Sequence, residues 1–469
     1  MAELAVGAPG DAEGPTPAME SDFSLRKIKI ASVILLGQTF ASSLVPFMAL
    51  AYVLPYMTGE FGWSRGEFLL ANSALMFFGA MTLWPMGVFT DKVGARPIIL
   101  VGTLGVGIVT LLLQFVHNAP VGWLPRAWQF YVLFALLGVF GSSGASYSKV
   151  TTALFTQNRG KAMAILGVEG TVARMILPAA TTWLLLSYGW RGMFTSFGVV
   201  ILLIVPLVFF FLEEPGTRGL KPSLGFRRQA ARSEAAAGAM VIPFEGMDFA
   251  EIRRDWVFWL MLVGGLVSMA VGNGMGTNIP ASFHDRGFSM VAIGEVDSMA
   301  VLAGIPGVVL AGFLMDRIPS ATIAAPFYLI TALSAFLMMI VTPRFGGMPL
   351  LLAGRFLFMF SFTAVLPLTA YFMTRFFGLK SYAQLYGFMS AIQAACMAFA
   401  PPLFGHIYDV THSYQIGYEA LIGAGILSAG AFLILPRYRF SANIGAMPAT
   451  PKAEGPPTGS GKLTPIPAE

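Results

Sequence analysis

Residues 87–97 read GVFTDKVGARP, with Asp91, Lys92 and Arg96 inside six positions and almost wholly apolar sequence on either side. The chain has 469 residues, of which 56% are hydrophobic and only 11% charged, so such an island marks a place where the polypeptide leaves an apolar environment. A soluble domain of this length would need far more charge to cover its surface. Apolar runs of about 18 residues or more recur along the sequence, each long enough to span a bilayer as a helix. In hydrocarbon every backbone N–H and C=O must be satisfied internally, so helices are the expected form of these runs.

They fall at roughly 30–57, 66–89, 97–117, 128–151, 162–186, 191–212, 255–283, 289–314, 321–342, 350–373, 384–408 and 416–436, which makes twelve. The largest polar interruption, 213–254, divides them six and six. The expected organisation is a disordered cytoplasmic N-terminus (1–26), a six-helix bundle (27–212), a cytoplasmic linker (213–254), a second six-helix bundle (255–440) and a disordered cytoplasmic tail (441–469). The first 22 residues lack the basic-then-apolar order of a cleavable signal, so the first hydrophobic helix is expected to stay as an anchor.

Basic residues set the orientation. With the N-terminus in the cytoplasm, the loops on the outer side carry only Arg65, Arg126, Arg191, Arg286 and Arg344 of the 29 Lys and Arg, and Lys149, Arg174 and Arg355 fall within helices. The rest are cytoplasmic, and so are both termini and the opening island. Residence in a cell membrane, the inner membrane of a bacterium, is the corresponding expectation.

The net charge of +5 does not suggest nucleic-acid binding, because the basic residues sit in short loops rather than on one face. A single cysteine, Cys396, leaves no disulfide framework or thiolate metal site. The four histidines, His117, His284, His406 and His412, have no metal-ligand spacing. There is no nucleophile motif, phosphate loop or haem signature, so neither an enzyme nor a cofactor is expected.

The two halves repeat each other. Shifting the sequence by 225 brings Pro55 onto Pro280, Gly62-Trp63-Ser64 onto Gly287-Phe288-Ser289, Asn72-Ser73 onto Asp297-Ser298, and Gly79 onto Gly304. Gly87 meets Gly312, and Asp91-Lys92 meets Asp316-Arg317. Two six-helix halves in parallel repeat are the layout of a large transporter fold with its pathway between the halves near the midplane.

At this point the chain resembles the major facilitator superfamily. GVFTDKVGARP fits its signature G-x-x-x-D-[RK]-x-G-x-[RK] between helices 2 and 3, with Gly87, Asp91, Lys92, Gly94 and Arg96 in place. The second copy keeps Gly312, Asp316 and Arg317 and has Pro319 for the second glycine. NRGKAMAILG after helix 4 and YGWRGMF between helices 5 and 6 also look like that superfamily. Within it, EFGWSRGE (60–67) and FAEIRRDWVFWLML (249–262) are similar to the monocarboxylate and oxalate–formate branch. That branch commonly has a carboxylate-binding arginine in helix 8, where this chain has Val308. The resemblance implies alternating access, with Asp91 and its basic neighbours latching the cytoplasmic side while the transporter faces outward. It also implies a cavity lined by helices 1, 4, 7 and 10, which raises Gln38, Tyr147, Asn273 and Tyr371 as lining candidates.

Ionisable groups inside a membrane are functional candidates by default. Arg174 lies about 13 residues into helix 5, roughly 20 Å along its axis and too deep to snorkel easily. Its guanidinium offers a fixed fork of donors for a carboxylate, and the alternative is a structural pair with Glu169 or a neighbouring helix. Glu169 is about 140° away on the same helix, and is either a proton-coupling carboxylate or part of an aqueous vestibule. Asp297 stands where the first half has Asn72, and an acid on one half only suits proton coupling; Glu295 is a weaker candidate nearer the surface. Arg355, read as about five residues inside the outer end of helix 10, either attracts entering anions or snorkels. Lys149 is read as an interfacial anchor.

The expectation is a secondary active transporter of a small organic anion, a monocarboxylate, driven by a proton or a counter-anion, with a single chain as the functional unit in the lipid bilayer. The rival is an exporter of another substrate class, such as lipophilic drugs.

Overall fold

The computed structural model describes residues 25–40, 43–118, 125–143, 146–147, 150, 169–212, 246–378 and 380–440, apart from the side chains of residues 25–28, Trp84, Asp91, Glu169, Leu366 and Ala383. Lys149, the linker 213–245, and the tails 1–24 and 441–469 therefore lie outside the described residues.

Helices begin and end where the sequence supplies a residue able to leave the helix. Helix 1 is built from Leu25–Phe40 and Leu44–Phe61 and stops at Gly62, whose φ of 65° is a left-handed cap that a side chain would disfavour. Two residues on, the Ser64 side chain accepts from the Glu67 amide while the Glu67 carboxylate accepts from the Ser64 amide, and this capping box starts helix 2 (Arg65–Val93). The second half repeats the device. Helix 7 (Trp256–Asp285) is followed by Gly287 at φ 93°, and Ser289 caps helix 8 by accepting from the Ala292 amide. The 225-residue repeat is thus a repeat of turn chemistry as well as of letters.

Helix 3 is Ala95–Phe115, helix 8 Met290–Arg317, helix 9 Ala321–Ile340, helix 10 Gly347–Phe377, helix 11 Tyr382–Thr411 and helix 12 Gln415–Ile434. Helices 5 and 6, 169–188 and 190–211, are separated by a break at Gly189 (φ 69°). Among the described residues ten stretches are long and apolar enough to cross a membrane, one of them broken at Gly189, and the shorter apolar helix Trp128–Gly141 begins helix 4. This accounts for the twelve spans of an all-α membrane protein. Among the described residues there is no strand, only isolated bridges such as Gly246–Gly378.

The two six-helix halves join unevenly along their length. At the face where Arg65 lies, one apolar cluster runs from Leu54 and Phe68 of the first half to Met275, Phe404 and Tyr418 of the second. A separate cluster, from Ile252 to Leu435, stays inside the second half. Side-chain hydrogen bonds between the halves gather on the Arg65 side as well: Asn72 Nδ2 to the Met397 and Ala398 carbonyls, Ser73 Oγ to Ala398 O, and the Ala179 amide to Ser298 Oγ. Helices 5 and 8 come so close there that a Cβ at Gly294 would lie 2.6 Å from Thr182 Oγ1 and 2.9 Å from Pro178 O.

The GVFTDKVGARP turn lies at the opposite face. Gly94 has φ 102° and Arg96 donates to the Phe209 carbonyl of helix 6. Lys92, Asp316 and Arg317 are exposed, and Arg317 lies over the Phe313 ring of its own helix. A Cβ at Gly87 or at Gly312 would meet nothing within 4 Å among the described residues.

Candidate functional site

Between the halves lies a cavity of about 230 Å3. Helix 1 gives it Phe47, Met48, Ala51 and Tyr52, and helix 7 gives Gly272, Asn273, Gly276 and Thr277. These sets are each other's partners under the 225-residue shift, so both halves present the same helical face to the cavity. Helix 5 adds Arg174 and Pro178, helix 8 adds Asp297 and Val301, helix 10 adds Arg355, Phe358 and Phe362, and helix 11 adds Met397. Spacings of three and four residues put each set on one side of its helix.

Of the residues singled out in the sequence, Arg174, Asn273, Asp297 and Arg355 are brought together here. Tyr147 is not. It is buried inside the first half, its hydroxyl 3.5 Å from Thr103 Oγ1 and against Gly37. Tyr371 donates to the Met315 carbonyl between helices 10 and 8, and Gln38 is half-buried with its Oε1 enclosed in protein. Neither Gln38 nor Tyr371 lines the cavity. Of helices 1, 4, 7 and 10, which the resemblance puts around the cavity, helices 1, 7 and 10 contribute to the described lining and helix 4 does not, while helices 5, 8 and 11 contribute as well. The Glu169 side chain lies outside the described set.

Arg355 is no interfacial residue. It is 4% exposed, and its Nε meets Asp297 Oδ1 at 2.5 Å. The helix begins at Gly347 rather than 350, and an ion pair replaces the water that snorkelling would seek. The other oxygen of Asp297 accepts from the Tyr52 hydroxyl at 2.7 Å, a bond that crosses from the second half to the first. Asp297 is therefore satisfied on both oxygens, whereas Arg355 Nη1 is buried with no hydrogen-bond partner among the described residues. Burying an ion pair costs desolvation that only good geometry and further hydrogen bonds offset, so an orphaned guanidinium nitrogen beside a cavity is a position where an acceptor would be stabilising.

Arg174 is half-buried in the lining and makes no ion pair or hydrogen bond among the described residues. The structural-pair reading of this arginine thus has no partner there. From Arg174 a vestibule of about 410 Å3 runs between helices 5, 8 and 10, past Gly170, Ile305, Val308 and Val309. A larger groove of about 650 Å3 beside helix 11 opens past exposed Phe399 and Leu403, and its one carboxylate, Glu67, is spent in the helix 2 cap.

The face opposite the vestibule is closed by Arg65. Its Nη2 lies 2.8 and 3.0 Å from the Asp285 carboxylate oxygens, its Nη1 donates to the Tyr414 hydroxyl at 2.6 Å, and its guanidinium lies 3.7 Å from the Tyr408 ring centre. The Asp409 carboxylate accepts from the amides of Arg65 and Gly66 at 2.8 Å each, satisfying the first N–H groups of helix 2. Burial raises the phenol of Tyr414 above its ordinary range, so it stays a donor, here toward Asn278 Oδ1 at 3.3 Å. The sequence reading used Arg65 only as an outer-loop charge.

Comparison with known proteins agrees with this architecture. The family model described as Major Facilitator Superfamily matches residues 35–347. A gallate transporter of Pseudomonas putida is 23% identical over 416 residues, covering 82% of this chain and 83% of the relative. A probable sulfoacetate transporter of Cupriavidus necator is 25% identical over 404 residues, covering 80% and 87%. Over a shorter stretch of 182 residues, 38% of this chain and 42% of the relative, a multidrug resistance protein of Salmonella typhi is 29% identical. Among solved structures, a D-xylose–proton symporter superposes with a TM-score of 0.62 at 17% identity, covering 87% of this chain and 98% of the other, a likeness of fold.

Proposed function

The chain belongs to the Major Facilitator Superfamily, and from that premise we propose that it carries a small organic anion, a monocarboxylate, across the membrane by alternating access. It is a membrane transporter rather than an enzyme. The observation that carries the substrate reading is Arg174, a guanidinium without a partner among the described residues, in a cavity between the halves. Two relatives named for organic anions support the same reading. In this proposal Arg174 takes the position of the helix-8 arginine that the monocarboxylate branch carries, since Val308 lines the vestibule beside it.

The halves 27–212 and 255–440 are the moving units. With both termini in the cytoplasm of a bacterial inner membrane, the Arg65 latch closes the outer face and the vestibule leads inward. Asp297 is the coupling carboxylate, held between Tyr52 and Arg355, and a proton on it would release both; exchange with a second anion is the other way to drive the cycle.

The test is Arg174→Ala in proteoliposomes. Removing one member of a desolvated charge pair costs about 2–5 kcal/mol, so uptake of a labelled carboxylate at low concentration should fall on the order of 30-fold or more. Full transport by the inserted variant would overturn the anion site. Export of lipophilic drugs is the second reading, favoured by the Phe and Met walls. Drug-sized ligands occupy about 300–1,000 Å3, more than this cavity offers, and Arg174 would repel organic cations. Competition by dyes but not by carboxylates would favour it.

A further inference from the structure

The donors left over in the cavity define the ligand more narrowly. The Tyr52 hydroxyl is spent on Asp297, Asn273 Nδ2 on the Met397 carbonyl at 3.2 Å, Thr277 on Asn273 O at 3.2 Å, and Thr363 on Met359 O at 2.7 Å. The charged donors that remain are Arg174 and the Nη1 of Arg355, buried without a partner among the described residues, beside one N–H of Asn273. Two guanidinium charges against one carboxylate leave a single positive charge. The walls, by contrast, are apolar and polarisable. Phe358 and Phe362 stack with centroids 5.5 Å apart and planes 19° apart on the helix 10 wall of the cavity, and Phe362 rests 3.5 Å from the position of a Cβ at Gly272. Phe47, Met48, Met269 and Met397 complete the enclosure. Flat faces beside thioethers suit a ring, because sulfur–aromatic and offset ring contacts add to simple burial.

Resting on the organic-anion reading above, we infer that the cavity selects an arenecarboxylate monoanion, and that Asp297 sets the charge it accepts. The acid head meets the two guanidinium groups and the ring lies on the Phe358–Phe362 face. A sugar acid would leave most of its hydroxyls without partners, and acetate would leave the walls unfilled. A dicarboxylate would bring a second charge that Asp297 already supplies. Replacing Asp297 by Asn frees Arg355 and raises the cavity charge by one, which should invert the preference between one and two carboxylates.

The experiment is equilibrium binding to the purified full-length chain, with benzoate, acetate, gluconate and terephthalate as probes. Benzoate should bind at least tenfold more tightly than acetate or gluconate, from ring burial, and at least tenfold more tightly than terephthalate. In Asp297→Asn the terephthalate-to-benzoate ratio should rise at least tenfold. In the double variant Asp297→Asn/Arg355→Gln, which restores the charge count, it should fall back. Equal binding of acetate and benzoate, or of terephthalate and benzoate, in the unaltered chain overturns the inference without any variant. So does an unchanged ratio in folded Asp297→Asn. If none of the four probes binds, the organic-anion reading fails with it; if gluconate or acetate leads, that reading stands and only the inference falls.

Discussion

Replacing Arg65 by Ala tests whether the closed face is held by a latch or merely by apolar contact. The side chain is lost from Asp285, Tyr414 and the Tyr408 ring, while the backbone amides that Asp409 accepts from are untouched. Arg65 and Asp285 side chains are 12% and 28% exposed, so solvent screens their attraction, and the pair is worth about 1 kcal/mol rather than a buried-pair value. The Tyr414 hydrogen bond to a charged donor adds about 1.5 kcal/mol or less in this setting. A guanidinium over a ring adds about 0.5–1 kcal/mol. Together the latch stabilises the closed face by ~2–3.5 kcal/mol, so its removal should shift the closed-to-open equilibrium roughly 30- to 300-fold. Nitroxides at exposed Arg126 and Gln415, in a Cys396→Ala background, report the separation of the halves at this face by electron–electron resonance. Arg65→Ala should add a longer distance component. Arg65→Ala/Asp409→Asn, which also weakens the helix 2 cap, should enlarge it. A distribution unchanged in both variants would refute the latch and assign the closed state to packing alone.

Gly294→Leu should abolish transport without preventing insertion, because its Cβ already meets Thr182 Oγ1 and Pro178 O and the rest of the side chain would wedge helices 5 and 8 apart; uptake and the same spin-label distances check it. Asp297→Asn should remove accumulation driven by a pH gradient while exchange of labelled for unlabelled anion continues, with a changed KM because the variant alters the cavity charge; gradient-driven accumulation that persists would assign coupling elsewhere. Asp91→Asn should lower turnover more than substrate affinity, read as kcat against KM in vesicles, and unchanged turnover would count against a gating role for that turn.

Much of this fold was legible in the sequence because bilayer physics leaves few options. The twelve apolar runs, the capping serines after Gly62 and Gly287, and the charged island each follow from local rules. Arg174 was legible for the same reason, since a charge so deep in helix 5 has no inexpensive explanation. The pairing of Asp297 with Arg355 was not, because the two are 58 residues apart on different helices and only tertiary packing sets their depth. Placing the start of helix 10 three residues late moved Arg355 toward the interface. Tyr52 was missed although a signal existed: the polar run GNGMGTN (272–278), shifted back by 225, lands on Phe47 to Val53 and would have pointed to Tyr52 opposite Thr277. Arg65 was read only for what its charge says about topology, since nothing in one sequence brings Asp285, Asp409 and Tyr414 to it.

The site and the machinery share bonds. Tyr52 belongs to the half that carries Arg174, and Arg355 belongs to the half that carries Asp297, so the hydrogen bond from Tyr52 to Asp297 fastens the halves together inside the cavity itself. A ligand that bridges Arg174 and Arg355 would fasten them a second time, across the same gap. Whatever weakens the first strut, a proton on Asp297 above all, leaves Arg355 an uncompensated buried charge, which is costly until an anion arrives. Proton and anion would then bind in concert for an electrostatic reason, because each lowers the cost of placing the opposite charge in the same cavity. On this reading coupling needs no relay between distant sites, only one carboxylate placed between a tyrosine of one half and an arginine of the other.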